Sequence, residues 1–154
     1  MRDPARTLAL RRELAAWSDG VQDEAAELAG GYRDLLAKRI TNAQLSGLQN
    51  VVQAALSFHT IKRFVAHQGE KARRNNRYDV QDYWSTVGKA LEGLRRPAEE
   101  IWTKVYDAAP SRQELNTWHC RLAQEFVQHL VAHSLWARPA YERDKRHSHG
   151  SKRK

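Results

Sequence analysis

The sequence predicts an all-α protein, a compact bundle of about five to six helices. Three observations carry that prediction. Apolar residues recur at three- and four-residue steps along most of the chain, no stretch shows the two-residue alternation of a strand, and two capping boxes mark helix starts. The 154 residues suit a single domain large enough to bury a core without disulfide or metal. That domain is expected over residues 1–138. Residues 139–154 are polar, basic and aperiodic, and are expected to form a disordered tail.

Taken in order, residues 8–17 carry Leu8, Leu10, Leu14 and Trp17 as one apolar face, with Asp19-Gly20 as the stop signal. A second helix is expected from Val21 to Arg39, turning Val21, Ala25, Leu28, Tyr32, Leu35 and Leu36 inward. Asp23, Glu24 and Glu27 would then lie in its first half, where the helix dipole favours acids, and Gly30-Gly31 would permit a bend or break. Thr41 and Gln44 form a capping box, with Ile40 and Leu45 placed as a hydrophobic staple. From Thr41 two neighbouring stripes, Leu45-Leu48-Val52-Ala55-Leu56-His59 and Val51-Phe58-Ile61-Val65, predict one long central helix reaching about Gln68. Asp79 is the expected N-cap of the next helix, over Val80, Tyr83, Trp84, Val87, Leu91 and Leu94. Pro97 predicts either a kink or a new helix, ended by Ala108-Ala109-Pro110. Ser111 and Glu114 form the second capping box, opening a last helix that buries Leu115, Trp118, Leu122, Phe126, Leu130 and Val131 and closes at Arg138-Pro139.

The formal net charge is +8, which favours a polyanionic partner because phosphate contacts release counterions without needing sequence recognition. The charge is concentrated. Lys62, Arg63, Lys71, Arg73, Arg74 and Arg77 stand against one acid, Glu70, and Arg95-Arg96 follow further on. These eight cations are the candidate residues for contact with RNA or DNA. The single cysteine, Cys120, excludes an internal disulfide, and the start Met1-Arg2-Asp3-Pro4 leads into no signal peptide or membrane span, so a cytoplasmic protein is expected.

Catalytic patterns are missing. There is no glycine-rich phosphate loop, nucleophile elbow or paired-carboxylate motif, and Glu99-Glu100 point apart on a helix. His129 and His133 have the spacing to share a metal, but the glutamate of the zinc-protease motif is replaced by Leu130 and no third ligand is evident; packing with one hydrogen bond is the expectation, with no metal and no cofactor. His119-Cys120 is too short a motif for thiolate chemistry. The tryptophans and tyrosines are in phase with other apolar residues and so are expected in the core rather than under bases, with Trp136 as the candidate exception. His147-Ser148-His149 and Lys152-Arg153-Lys154 in the tail could hold phosphate loosely.

Three features in fixed order resemble the small subunit of type III-A CRISPR interference (Csm) complexes. Ile40, Thr41, Gln44 and Leu45 match a hydrophobic-Thr-x-x-Gln-hydrophobic helix start. Ile61-Lys62-Arg63-Phe64-Val65-Ala66-His67-Gln68 with Lys71, Arg73 and Arg74 is similar to an apolar and basic stretch leading to arginine, and Phe126, His129, Val131, Ala132 and His133 are similar to a segment of the last helix. The resemblance spans residues 40–136. It implies a non-catalytic, all-helical subunit that self-associates as an inner filament, holds guide RNA and target RNA backbone with basic side chains, and docks on other subunits of the effector complex. The small subunit of the type III-B complex is the close alternative, and a basic helical protein-interaction module unrelated to CRISPR is the alternative from outside the family.

Overall fold

In the computed structural model the backbone of residues 3–150 and the side chains of residues 3–135 are described. The protein is helical throughout that range, with no strand among the described residues. The segments are α1 (Pro4–Gly31), α2 (Arg33–Lys38), α3 (Asn42–Ala54), α4 (Phe58–Arg74), α5 (Tyr78–Glu92), α6 (Arg95–Tyr106) and α7 (Arg112–Gly150). Only Tyr32 separates α1 from the six-residue α2, so six larger helices make the bundle.

The first two expected helices are one. Asp3 caps α1 by accepting the Ala5 amide at 3.0 Å, with Pro4 in the first turn, where its missing N–H costs nothing. The helix then passes straight through Asp19-Gly20, because Leu10, Leu14, Ser18, Val21, Ala25 and Ala29 form a single unbroken buried line. Packing of that line outweighs a local stop signal of roughly 1 kcal/mol. The break falls instead after Gly30-Gly31, at Tyr32. Asp23, Glu24 and Glu27 consequently lie in the C-terminal half of α1, and the expected dipole role for them lapses.

The expected long central helix is two helices. The Thr41–Gln44 capping box forms as predicted, with the Gln44 amide 3.1 Å from Thr41 Oγ1 and the Thr41 amide 3.0 Å from Gln44 Oε1, and Ile40 and Leu45 are both buried. But α3 ends at Ala54, Ala55 and Ser57 are extended, and Ser57 caps a new helix by accepting the His59 amide at 3.2 Å. The two stripes belong to two helices: Leu45, Leu48 and Val52 are buried on α3, and Ile61, Val65, Gly69 and Ala72 on α4. Leu56 and His59, which one continuous helix would turn inward, are exposed.

The central element is α7, which packs against α1, α2, α3, α4 and α6. The Ser111–Glu114 box opens it at 2.9 and 3.1 Å, and Leu122, Phe126, Leu130 and Val131 are buried on it as expected. Its backbone does not stop at Arg138-Pro139 but stays helical to Gly150, through the first part of the segment expected to be a disordered tail. Alanine, glutamate, lysine and arginine dominate residues 140–146 and are strong helix formers. Asp79 is not the cap of α5; it lies in its first turn, and its carboxylate pairs with Arg39 at 2.8 Å. Pro97 starts a new helix rather than a kink, sitting in the first turn of α6.

The fold pairs α4 with α5 as an antiparallel hairpin. Its turn is a Schellman motif: the Arg77 amide donates to the Ala72 carbonyl at 2.9 Å and the Asn76 amide to Arg73 at 3.1 Å, with Asn76 left-handed at φ 57°. No helix among the described residues is long and apolar enough to cross a membrane.

Candidate nucleic-acid interface

Burial of Ile61, Val65, Gly69 and Ala72 fixes which side of α4 faces solvent. By helical spacing Arg63, His67, Glu70 and Arg74 follow one another along the outer ridge, with Lys62 and Arg73 on one shoulder and Lys71 on the other. Lys62, Arg63, Lys71, Arg73, Arg74 and Arg77 are all exposed, as expected of a solvent-facing edge.

The cations are not equally free. Glu70 sits among them and takes a two-pronged contact from Arg73, at 2.6 and 2.9 Å, and a third from Arg74 at 3.3 Å. The Arg73 hydrogen bond, aided by the charges of Arg73 and Arg74, holds the Glu70 carboxyl down to about 2 against an opposing desolvation that is second only to that bond. Lys62 reaches Glu92 at 3.4 Å, bridging the start of α4 to the end of α5. Such exposed pairs are weak and exchange readily for phosphate.

Arg95 and Arg96 do not join the Arg73–Arg77 group. They follow Glu92 in sequence, so they lie at the Lys62 end of the hairpin, and Lys62 is about 18 Å along the helix from Arg74. Arg96 pairs with Glu100 one turn on, at 3.2 Å. The eight residues thus divide into a turn group (Lys71, Arg73, Arg74, Arg77) and an end group (Lys62, Arg63, Arg95, Arg96), joined by the ridge of α4.

Sequence reasoning missed three cations beside the turn group. The Arg39–Asp79 pair brings the end of α2 beside the first turn of α5, and Arg33, Lys38 and Arg39 line a cleft of about 590 Å³ with Asp79 and Asp82 next to the turn group. Tyr32 completes the cleft, its hydroxyl 2.7 Å from Asp82 and 2.7 Å from Thr86, and burial followed by the Asp82 bond raises its pKa. Nothing local in the sequence signals this, because the pair joins residues forty apart.

Two histidines, His119 and His129, are accounted for by packing and hydrogen bonds. His129 Nε2 lies 2.8 Å from Ser18 Oγ, and the Ser18 hydroxyl donates to Glu125 at 3.0 Å, so His129 is the donor to Ser18 and not a base acting on it. His119 is buried, stacked on Phe58 at 3.7 Å, and donates from Nε2 to the Leu91 carbonyl at 2.8 Å. Cys120 is buried and its thiol pKa is pushed up by burial, the opposite of a reactive thiolate. Among the described residues no three metal-ligating side chains come together. The Trp136 side chain, the His147–His149 side chains and Lys152–Lys154 lie outside the described side chains.

The aromatic residues split. Tyr83 and Trp84 are fully buried, at the centre of edge-to-face contacts with Tyr32 and Phe64, as core packing predicts. Trp102 and Tyr106 are instead only partly buried and stack on one another beside a cavity. Comparison with known protein families, curated proteins and solved structures gives no match.

Proposed function

We propose that the protein is a non-catalytic small subunit of a type III CRISPR RNA-guided effector complex, holding guide and target RNA by their backbones and scaffolding an inner filament. The observation that supports the RNA-binding part is the α4–α5 edge: six exposed cations, with Glu70 among them and Glu92 paired to Lys62, on a hairpin whose geometry is set by burial on the opposite side. Such an edge suits a phosphate chain, which asks for spaced positive charge and no base reading. Arg39 adds a further cation beside the turn group, and Arg95 and Arg96 extend the other end. The assignment to the III-A type, and to guide as well as target RNA, follows the motif resemblance.

Charge reversal of Arg73 and Arg74 tests the interface. Double substitution to glutamate is expected to weaken binding to RNA of any sequence and to flatten the plot of log affinity against log salt by about 0.7 for each phosphate no longer neutralised. Unchanged affinity and slope would exclude this edge as the RNA site.

A second reading has its own observation. Between α4 and α5 runs a groove of about 360 Å³ floored by Ile61, Val65, Gly69, Trp84 and Gly88, with Lys62, Lys89, Glu70 and Glu92 at its rim. An apolar groove edged with charges of both signs suits an amphipathic segment of a protein partner. A partner that co-purifies after nuclease treatment, with no RNA, would favour this reading.

A further inference from the structure

Away from the α4–α5 edge, a cavity of about 960 Å³ lies between the first turns of α1, the C-terminal half of α6 and the start of α7. Its size is that of a small-molecule site. Trp102 and Tyr106, one turn apart on α6, form one wall as a parallel stack with centroids 4.3 Å apart and planes inclined by 23°. The Arg6 guanidinium lies 5.4 Å from the Tyr106 centroid, within cation–π reach. Trp118 contributes a second indole to the lining, with its Nε1 turned into the protein, sealed from solvent and without a hydrogen-bond partner.

The charges around the cavity are unequally committed. Asp3 and Glu114 are both occupied at helix caps, by the Ala5 and Ser111 amides, and Arg121 is turned to Gln124 and Glu125. Arg6 is exposed at the rim in a long, weak pair with Asp3 at 3.9 Å, and Arg11 is exposed beside it. Gln113 and Thr117 of α7 supply amide and hydroxyl groups to the same lining. A flat aromatic platform, two rim guanidiniums and polar groups able to meet a ring edge are together suited to a planar heteroaromatic ring that carries an anion. A purely apolar ligand would leave the arginines unmet.

We propose that this cavity binds a nucleotide, its base lying against the Trp102–Tyr106 stack and its phosphate at Arg6 and Arg11. The cavity takes no residue from α4 or α5, so the site stands independently of the basic edge. The base comes either from a free nucleotide or from a single strand, and base stacking on aromatic side chains serves both.

The test is calorimetric titration of the full chain with AMP, adenosine and inorganic phosphate. AMP is expected to bind saturably and more tightly than either fragment. Trp102→Leu should weaken AMP binding roughly tenfold, as loss of one stacking platform implies. Arg11→Glu, at an exposed position that does not threaten folding, should weaken AMP several-fold and leave adenosine unchanged. A short oligouridylate that displaces AMP assigns the site to bases of a strand, whereas AMP that stays bound under saturating oligonucleotide assigns it to the free nucleotide. No saturable AMP binding overturns the proposal, as does an AMP affinity unchanged in Trp102→Leu or, should that variant lose helicity, in Arg11→Glu. Reversal of Arg73 and Arg74 is expected to leave AMP affinity intact, which keeps this site's failure distinct from failure of the RNA edge.

Discussion

Asn116 of α7 accepts the amide of Phe58 at 2.9 Å and, through its other amide atom, donates to the Leu56 carbonyl at 3.0 Å. One side chain therefore satisfies both sides of the turn between α3 and α4. Two turns further along α7, Gln124 donates to the Val52 carbonyl at 3.0 Å, one of the last carbonyls of α3 that its own helix cannot pair. The break that begins the basic helix is held from α7. Asn116→Ala is expected to cost about 1–2 kcal/mol, by leaving a part-buried N–H and a carbonyl without partners. Urea denaturation followed by circular dichroism measures it; a loss below a few tenths would show that water replaces the side chain fully.

That break also explains what could be read in the sequence and what could not. Helical periodicity and capping boxes are local, so the all-α class and the starts at Thr41 and Ser111 were legible. The break at Ala55–Ser57 carries no glycine or proline, and its polar satisfaction comes from residues about sixty positions away. One local signal was available: the buried line changes phase by two residues between Val52 and Ile61, with Ser57 in between as a cap. The opposite error arose at Asp19-Gly20, where a local stop signal was overridden by Ser18, a polar residue that belongs to the buried face because Glu125 and His129 bond it. In the candidate interface the exposed cations were legible from composition. Their pairing with Glu70 and Glu92 and the approach of Arg39 depended on helix phase and long-range docking.

The Ser18 hydroxyl links α1 to α7 at a position where an apolar residue would continue the buried line. Ser18→Ala removes the acceptor of His129 and the donor to Glu125 at once, and the expected loss is about 1–2 kcal/mol. Thermal unfolding should register it as a lower Tm. With His129 Nε2 committed to Ser18, addition of EDTA is expected to leave the Tm of the unaltered protein unchanged; a chelator-dependent fall would revive a metal role for His129.

Asn76 holds φ 57° at the Schellman turn between α4 and α5, a conformation glycine adopts without steric cost. Its side chain accepts only an exposed contact from the Tyr78 hydroxyl at 3.3 Å. Asn76→Gly is therefore expected to be neutral or stabilising by up to about 1 kcal/mol, whereas Asn76→Val should lose about 1–2 kcal/mol by placing a branched side chain in left-handed backbone. Chemical denaturation of the pair gives the ordering, and a more stable valine variant would contradict the turn geometry.

Burial lowers the pKa of His119 against the smaller opposing pull of its bond to the Leu91 carbonyl. A depressed folded pKa means that the unfolded chain binds the proton more readily. The stability associated with neutral His119 is then complete above the unfolded value near 6.5 and declines as pH falls from there through the lower folded value. His119→Gln retains a donor for Leu91 and removes the titration. The difference in unfolding free energy between the two proteins should narrow or change sign in favour of the variant between pH 7.5 and pH 5; a constant difference would show that His119 does not titrate differently in the folded state.

Glu70 is the acid within the basic edge, and its removal separates stability from binding. Because the Arg73 bond keeps its carboxyl ionised down to about 2, the pairing is complete above the ordinary carboxylate range and is lost only as pH falls towards that value. No titration of this contact is expected between pH 5 and pH 9. In that window Glu70→Gln frees the Arg73 and Arg74 guanidiniums and raises the net charge of the edge by one. If the edge binds a phosphate chain, the variant should bind homopolymeric RNA more tightly than the unaltered protein and show a steeper dependence on salt, the reverse of the Arg73 and Arg74 charge reversal. If Glu70 instead orients the two arginines for phosphate, affinity falls although charge has become more positive. Measuring both variants against one RNA across a salt series distinguishes a simple field of charge from a preorganised pair of guanidiniums.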